Sequence, residues 1–174
     1  MNFRDICEKR QSCRSFDSSK TVETEKLDSC LEAARLAPSA YNSQPYRIWA
    51  VTGEKAKLMA DYEKSGVGKF CADCSTYVVF TEDDYSDMAK AGAEAKGLDF
   101  RSIDLGIAVA YLTAEAAEKG LDSCIMASFN DKRVREIIGA DKRVLLVVAL
   151  GYRKSDDPQR IKKRKSSDEI IVRV

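Results

Sequence analysis

Between Thr24 and Ala37 the apolar residues Leu27, Cys30, Leu31, Ala34 and Ala37 recur three and four positions apart, the spacing of one helix face. Glu23 and Glu25 lie where the positive end of that helix favours carboxylates, and Pro38 stops it. Tyr46–Val51 (YRIWAV) has the aromatic and β-branched content of a strand. The turn-forming residues between the two prolines, PSAYNSQP (38–45), therefore make a helix-to-strand loop. Gly53–Ser65 reads as a second amphipathic helix and Tyr77–Thr81 (YVVFT) as a short buried strand, with an irregular stretch containing Gly and Cys between them. Residues Ile103–Ala117 are apolar on nearly every face, which predicts a helix buried on most sides and capped by Gly120. Ser123–Phe129 (SCIMASF) and Val144–Leu150 (VLLVVAL) predict strands, the second covered on both faces, and Asp131–Ile138 a short helix between them. Ile170–Val174 carries a last, short strand signal. Helices around a small sheet, with no internal repeat and no long linker, predict one α+β domain over residues 1–174.

Composition narrows the chemistry. A chain of 174 residues that is 44% hydrophobic should bury about 70% of its unfolded surface, so a core is available without disulfides. There is no histidine, which removes Ser-His-Asp and Cys-His catalysis, HExxH zinc sites and imidazole proton shuttles. Difficult chemistry would then fall to a bound cofactor. The formal charge of +1 offers no global field for nucleic acid or membrane. Apolar runs such as Leu105–Leu112 and Val144–Gly151 are too short to span a bilayer, and MNFRDICEKR carries charges where a signal peptide needs an apolar region. A cytoplasmic protein with six reduced thiols is expected.

Four segments carry groups capable of chemistry. RQSCRSF (10–16) sets two guanidiniums and a hydroxyl within five residues, a grip for an anion or a solvated basic turn. Lys162–Lys165 (KKRK) is a second basic run, read as a solvated face, a nucleic-acid patch or part of a small-anion site; without interleaved aromatics nucleic acid is disfavoured. Cys71-Ala72-Asp73-Cys74 is a CxxC, but it precedes a strand instead of opening a helix, and no second pair completes a zinc ribbon, so two ordinary thiols are expected. Ser39, Asn42, Ser43 and Gln44 present hydroxyls and amides that suit a heterocycle with mixed edges, or that cap their own turn. Neither GxGxxG nor GxxxxGK[ST] occurs, against a Rossmann or P-loop nucleotide site.

Taken together, an Arg-x-Ser-x-Arg-x-Phe segment, a helix ending in Pro-Ser-x-x-Asn-x-Gln-Pro-aromatic, a buried alanine-rich helix (SIDLGIAVAYLTAEAAEKGLDSC, 102–124), a late VLLVVALGY strand (144–152) and KKRKSSDEII (162–171) resemble the nitroreductase family of flavin enzymes. The resemblance covers essentially the whole chain. It implies a mixed sheet sandwiched by helices and an intertwined homodimer that binds FMN in two sites at the subunit interface. Arg10, Ser12 and Arg14 match positions that hold the FMN phosphate and ribityl chain, and Lys162 and Arg164 resemble a basic pair closing on the same phosphate. Ser39, Asn42 and Gln44 match the loop at the ribityl chain and the pyrimidine edge of the flavin.

Ala127 and Ser128 stand where family members often carry Gly-Gly, whose backbone N–H meets flavin N5; the contact survives unless that glycine needed positive φ. Gln11 replaces a common basic residue, and Tyr152-Arg153 a frequent Tyr-Pro. The implied activity is hydride transfer from NADH or NADPH to flavin N5 and on to a small electron-poor acceptor, a nitroaromatic or quinone, with no protein nucleophile and no metal. A flavin carrier or sensor without a nicotinamide pocket is the alternative.

Overall fold

The computed structural model describes residues 2–174; Met1, the first position of the expected domain, lies outside them. Four strands form the sheet: β1 (Tyr46–Val51), β2 (Thr76–Glu82), β3 (Asp122–Met126) and β4 (Val144–Gly151). Their spatial order is β1-β2-β4-β3, and each neighbouring pair is antiparallel, with Tyr46 opposite Glu82, Thr76 opposite Leu150 and Asp122 opposite Gly151. The α+β class is as expected. The sheet of the single chain is antiparallel, however, and its parallel element is one isolated bridge between Ser12 and Ser123.

Strand alternation sorts the core into two layers. On one face Tyr77, Val79, Val147 and Ala149 pack with Cys13, Phe16, Met59, Val67 and Val134. These come from the segment after α1 (Phe3–Lys9), from α3 (Gly53–Ala60), from the stretch after α4 (Tyr62–Ser65) and from α7 (Asp131–Ile138). On the other face Val78, Phe80, Val148 and Leu150 pack against α2 (Thr24–Arg35) and α6 (Phe100–Glu118), through Leu27, Cys30, Ala34, Ala108 and Leu112. The strands β2 and β4 are thus covered on both sides, as continuous apolar runs predict.

Five expectations change. The helix over 53–65 breaks at Asp61, whose extended backbone and side chain, accepting from the Glu63 N–H, start α4 afresh. The strand expected over 123–129 is one residue offset and stops at Met126, leaving Ala127 and Ser128 as a connection to α7. An unpredicted helix, α5 (Asp87–Lys96), follows β2; its alanine-rich sequence buries only Ala89 and so gives almost no periodic signal. Helix α6 is not covered on most sides: Ile103, Gly106, Ala110 and Tyr111 are exposed along one stripe. Ile170–Val174 does not form a strand, because among the described residues no ladder partner lies beside it. Ser167–Ile170 makes one helical turn, α8, and the following apolar residues remain exposed.

Among the described residues no helix is long and apolar enough to cross a membrane. All six cysteines are free, and all but Cys7 are buried. Burial pushes the Cys13 thiol up to about 11 and those of Cys30 and Cys74 up to about 12; Cys71 and Cys124 are raised by the same cause. Cys74 Sγ donates to the Leu150 and Thr76 carbonyls at 3.1 and 3.2 Å. The CxxC pair is therefore held as protonated thiols in the core, the opposite of a thioredoxin-like site.

Two outcomes follow from this packing. A disulfide-exchange reagent at pH 8 should modify no more than one thiol per native chain, Cys7, with the others reacting only in denaturant; a second fast thiol would contradict the buried assignment. Gly66 has φ +69°, and a Cβ there would stand 2.8 Å from the Asn130 nitrogen, which donates to the Ser65 carbonyl. Gly97 has φ +62° with open space around it. Calorimetry should therefore show Gly97→Ala costing about 1 kcal/mol and Gly66→Ala clearly more, a drop in Tm of roughly 4 °C or beyond.

Candidate functional site

The first basic segment lies along the end of the sheet. Arg10 caps α1, and residues 12–17 then run between β3 and the end of β4: Cys13 N–H donates to the Ser123 carbonyl at 2.9 Å, and Asp17 N–H to that of Tyr152 at 2.8 Å. The second basic segment is laid against the first by a residue that sequence reasoning treated only as a departure. Buried Gln11 accepts from the Arg160 N–H at 2.8 Å through its side-chain oxygen and donates through its amide to the Pro158 carbonyl at 3.2 Å. Gln159 donates to the Lys9 carbonyl, Arg160 to that of Ser12, and Lys162 Nζ to that of Arg10. Arg160 itself is paired with the buried carboxylate of Asp157.

This lacing brings Arg10, Lys162 and Arg164 together without neutralising them. Among the described residues none of Arg10, Arg14, Lys162 and Arg164 forms an ion pair, although cations elsewhere do. Lys162 is the most telling: burial and the neighbouring Arg10 and Arg164 charges depress its ammonium pKa. A cation destabilised by two like charges is a place where an anion is favoured. Arg14 places its guanidinium 5.9 Å from the Phe70 ring centre, and Arg14 and Arg10 both draw the buried Cys124 thiol toward ionisation, though burial outweighs them. Arg10 and Arg164 border a cavity of about 770 Å³ that also meets Cys7, Tyr111, Glu115 and Ile125.

The Ser39–Gln44 loop is strained. Tyr41, Asn42 and Gln44 have φ of 52°, 52° and 44°, in the left-handed region that costs non-glycine residues about 1–3 kcal/mol each. The surroundings over-determine it. Ser39 accepts the Gln44 N–H on its hydroxyl and the Asn42 N–H on its carbonyl, each at 3.0 Å. Asp104 accepts the Ala40 N–H at 3.0 Å, Ser43 Oγ accepts the Ser86 N–H at 2.8 Å, and Arg101 Nε donates to the Pro45 carbonyl at 3.2 Å. The Tyr41 ring rests on Gly92 of α5, where a Cβ would approach it to 2.7 Å. Gln44 Nε2 donates to the Asn42 side-chain oxygen at 2.7 Å, so the turn caps itself while exposing both amides. Asn42 is a residue type tolerant of positive φ; nothing in the sequence signals the same for Tyr41.

Ala127 and Ser128 follow β3 on the exposed side, and Ser128 borders a smaller cavity with Tyr62, Phe129 and Arg133. Neither residue has positive φ, so the conformation makes no demand for the glycines they replace. Among the described residues neither backbone N–H has a hydrogen-bond partner. The two basic segments thus meet within one chain. The Ser39–Gln44 loop does not join them: Gln44 borders a separate cavity of about 470 Å³ between α2 and β1.

Against known proteins, the model of the nitroreductase family matches residues 7–69 and 68–152. The chain is 26% identical to an oxygen-insensitive NADPH nitroreductase of Helicobacter acinonychis, over 94% of this chain and 93% of that protein. Its fold superposes on a crystal structure of a nitroreductase family protein from Streptococcus pneumoniae with a TM-score of 0.80 at 22% identity, covering 99% of this chain and 100% of the other. A structure of an FMN-dependent nitroreductase from Clostridium difficile gives a TM-score of 0.68 at 26% identity, over 95% and 92% of the two chains. With the matched segments spanning most of the sequence and the whole fold shared, the chain belongs to the nitroreductase family.

Proposed function

We propose that this oxidoreductase binds FMN and uses it to pass hydride from NADH or NADPH to a small electron-poor acceptor, a nitroaromatic or quinone. The observation that carries the reading is the unneutralised cluster of Arg10, Lys162 and Arg164, drawn from two distant parts of the chain, with the unpaired Arg14 on the same segment as Arg10. An FMN phosphate bears about −1.5 to −2 charges and three strong acceptor oxygens, which matches several guanidinium and ammonium donors around one group. When bound, the flavin would supply hydride acceptance and donation at N5, chemistry that no protein side chain provides.

The chain's own residues bind and orient. Arg10, Ser12, Arg14, Lys162 and Arg164 take the phosphate and ribityl end. Ser39, Asn42 and Gln44 offer donors and acceptors in a rigid loop to the ribityl chain and pyrimidine edge. The free N–H groups of Ala127 and Ser128 are the backbone donors offered to N5. Gln44 of the loop borders one cavity and Arg10 and Arg164 another, which supports a complete site drawn from two copies. The exposed stripe of α6, the exposed apolar residues Ile170–Val174 and the unpaired edge of β1 give a second copy surfaces to cover, which supports an intertwined homodimer with two sites.

The purified protein should be yellow, sediment as a dimer with two FMN, and lose its oxidised flavin band when mixed anaerobically with NADH or NADPH. A flavin band that persists on the catalytic timescale would instead mark a carrier or sensor. Arg14→Ala and Arg164→Ala should each lower FMN affinity roughly ten- to hundred-fold, the loss of a charge-assisted bond worth about 1.5–3 kcal/mol. Riboflavin, without the phosphate, should bind both variants as it binds wild type. Unchanged FMN affinity in both variants would remove the phosphate assignment.

A further inference from the structure

Asp104 is unusual among the carboxylates of this protein. It lies in the second turn of α6, is 2% exposed, and uses one oxygen to accept the Ala40 N–H. The other oxygen, Oδ2, is buried without a hydrogen-bond partner among the described residues. The nearby Tyr46 hydroxyl is buried and unpartnered as well. Burial raises the Asp104 carboxyl pKa, the Ala40 bond opposes this, and the Asp99 charge adds to the rise. A half-satisfied buried carboxyl works against folding, since a desolvated acceptor left without a donor is costly and an apolar residue would avoid that penalty.

The single bond it makes explains why such a group sits there. Ala40 begins the turn that leads directly into Tyr41 and Asn42, both in the left-handed region. The same end of α6 grips the loop at two further points: Phe100 lies 6.1 Å from Tyr41, ring centre to ring centre, and Arg101 donates to the Pro45 carbonyl. The loop's other ties, from Ser39 to Gln44 and from Ser43 to Ser86, join it to itself and to the start of α5. Asp104 is thus the tie between the loop's entry and the core.

We propose that Asp104 is a positioning residue for the flavin loop: its carboxyl holds the Ala40 turn so that Ser39, Asn42 and Gln44 meet the ribityl chain and ring edge, at the expense of apoprotein stability. This rests on the flavin reading of the loop given above, and it assigns Asp104 no contact with the flavin itself. Asp104 acts through Ala40.

The test compares Asp104→Ala and Asp104→Asn with wild type and with Arg14→Ala. Asparagine keeps an oxygen for the Ala40 N–H; alanine does not. In the apoprotein, hydrogen exchange of residues 40–44 should quicken about tenfold or more in Asp104→Ala, leaving β2, β4 and the centre of α6 protected as in wild type, with a thermal midpoint no lower than that of wild type. FMN and riboflavin should both bind Asp104→Ala about tenfold more weakly, by the same factor, because they share the part the loop meets. Asp104→Asn should restore both affinities and the slow exchange.

Arg14→Ala, by contrast, should weaken FMN alone. Unchanged exchange at 40–44 in Asp104→Ala, or a loss confined to FMN, would overturn the positioning role. A lowered midpoint with faster exchange throughout the sheet would reduce Asp104 to a folding residue and overturn it too. If wild type binds neither flavin while the loop still loosens in Asp104→Ala, the flavin reading has failed, and with it the role assigned to Asp104.

Discussion

A sheet whose central strands are buried on both faces must be covered twice, and that demand sets where everything else goes. Tyr77, Val79, Val147 and Ala149 need one helical layer and Val78, Phe80, Val148 and Leu150 another, so α3 and α7 take one side while α2 and α6 take the other. With both faces occupied, polar function is displaced to the margins of the sheet. Arg10, Lys162 and Arg164 gather where residues 10–17 run along the end of the sheet beside β3 and the end of β4, and the strained loop enters β1 at the opposite edge. One chain therefore carries two clusters of polar groups on separate margins.

Much of this was legible in the residue pattern, for identifiable reasons. Helix α2 announces itself because its apolar positions repeat at helical spacing, and β1, β2 and β4 because their runs are short, apolar and bounded by turn formers. Helix α5 escapes because alanines bury little and break no pattern. The kink at Asp61 escapes because a local cap competes with an otherwise helical sequence. Ile170–Val174 has strand character, but a strand exists only in a ladder, and one chain supplies no partner there.

At the site, Arg10, Arg14, Lys162 and Arg164 are visible as charges, and the family resemblance alone joins the two segments; the contacts that bring Arg10, Lys162 and Arg164 together span about 150 positions and leave no local signal. Gln11 looked like the loss of a cation and turned out to hold the two segments in register. Arg160 and Asp157 gave no motif at all. The positive φ of Tyr41 and Gln44 is imposed by tertiary contacts, chiefly Gly92, Ser39 and Asp104, and no local preference forecasts it.

The Gln11 clamp has a kinetic meaning. Its contacts with Pro158 and Arg160 close a loop of nearly the whole chain, among the largest losses of chain entropy the fold incurs, and they gain nothing until the sheet between them exists. The gathering of cations must come late in folding, and like-charge repulsion resists it. An anion seated there would relieve that repulsion and stabilise the folded chain in proportion to the logarithm of its concentration. The supply of such an anion would then help decide how long the two distant segments stay apart.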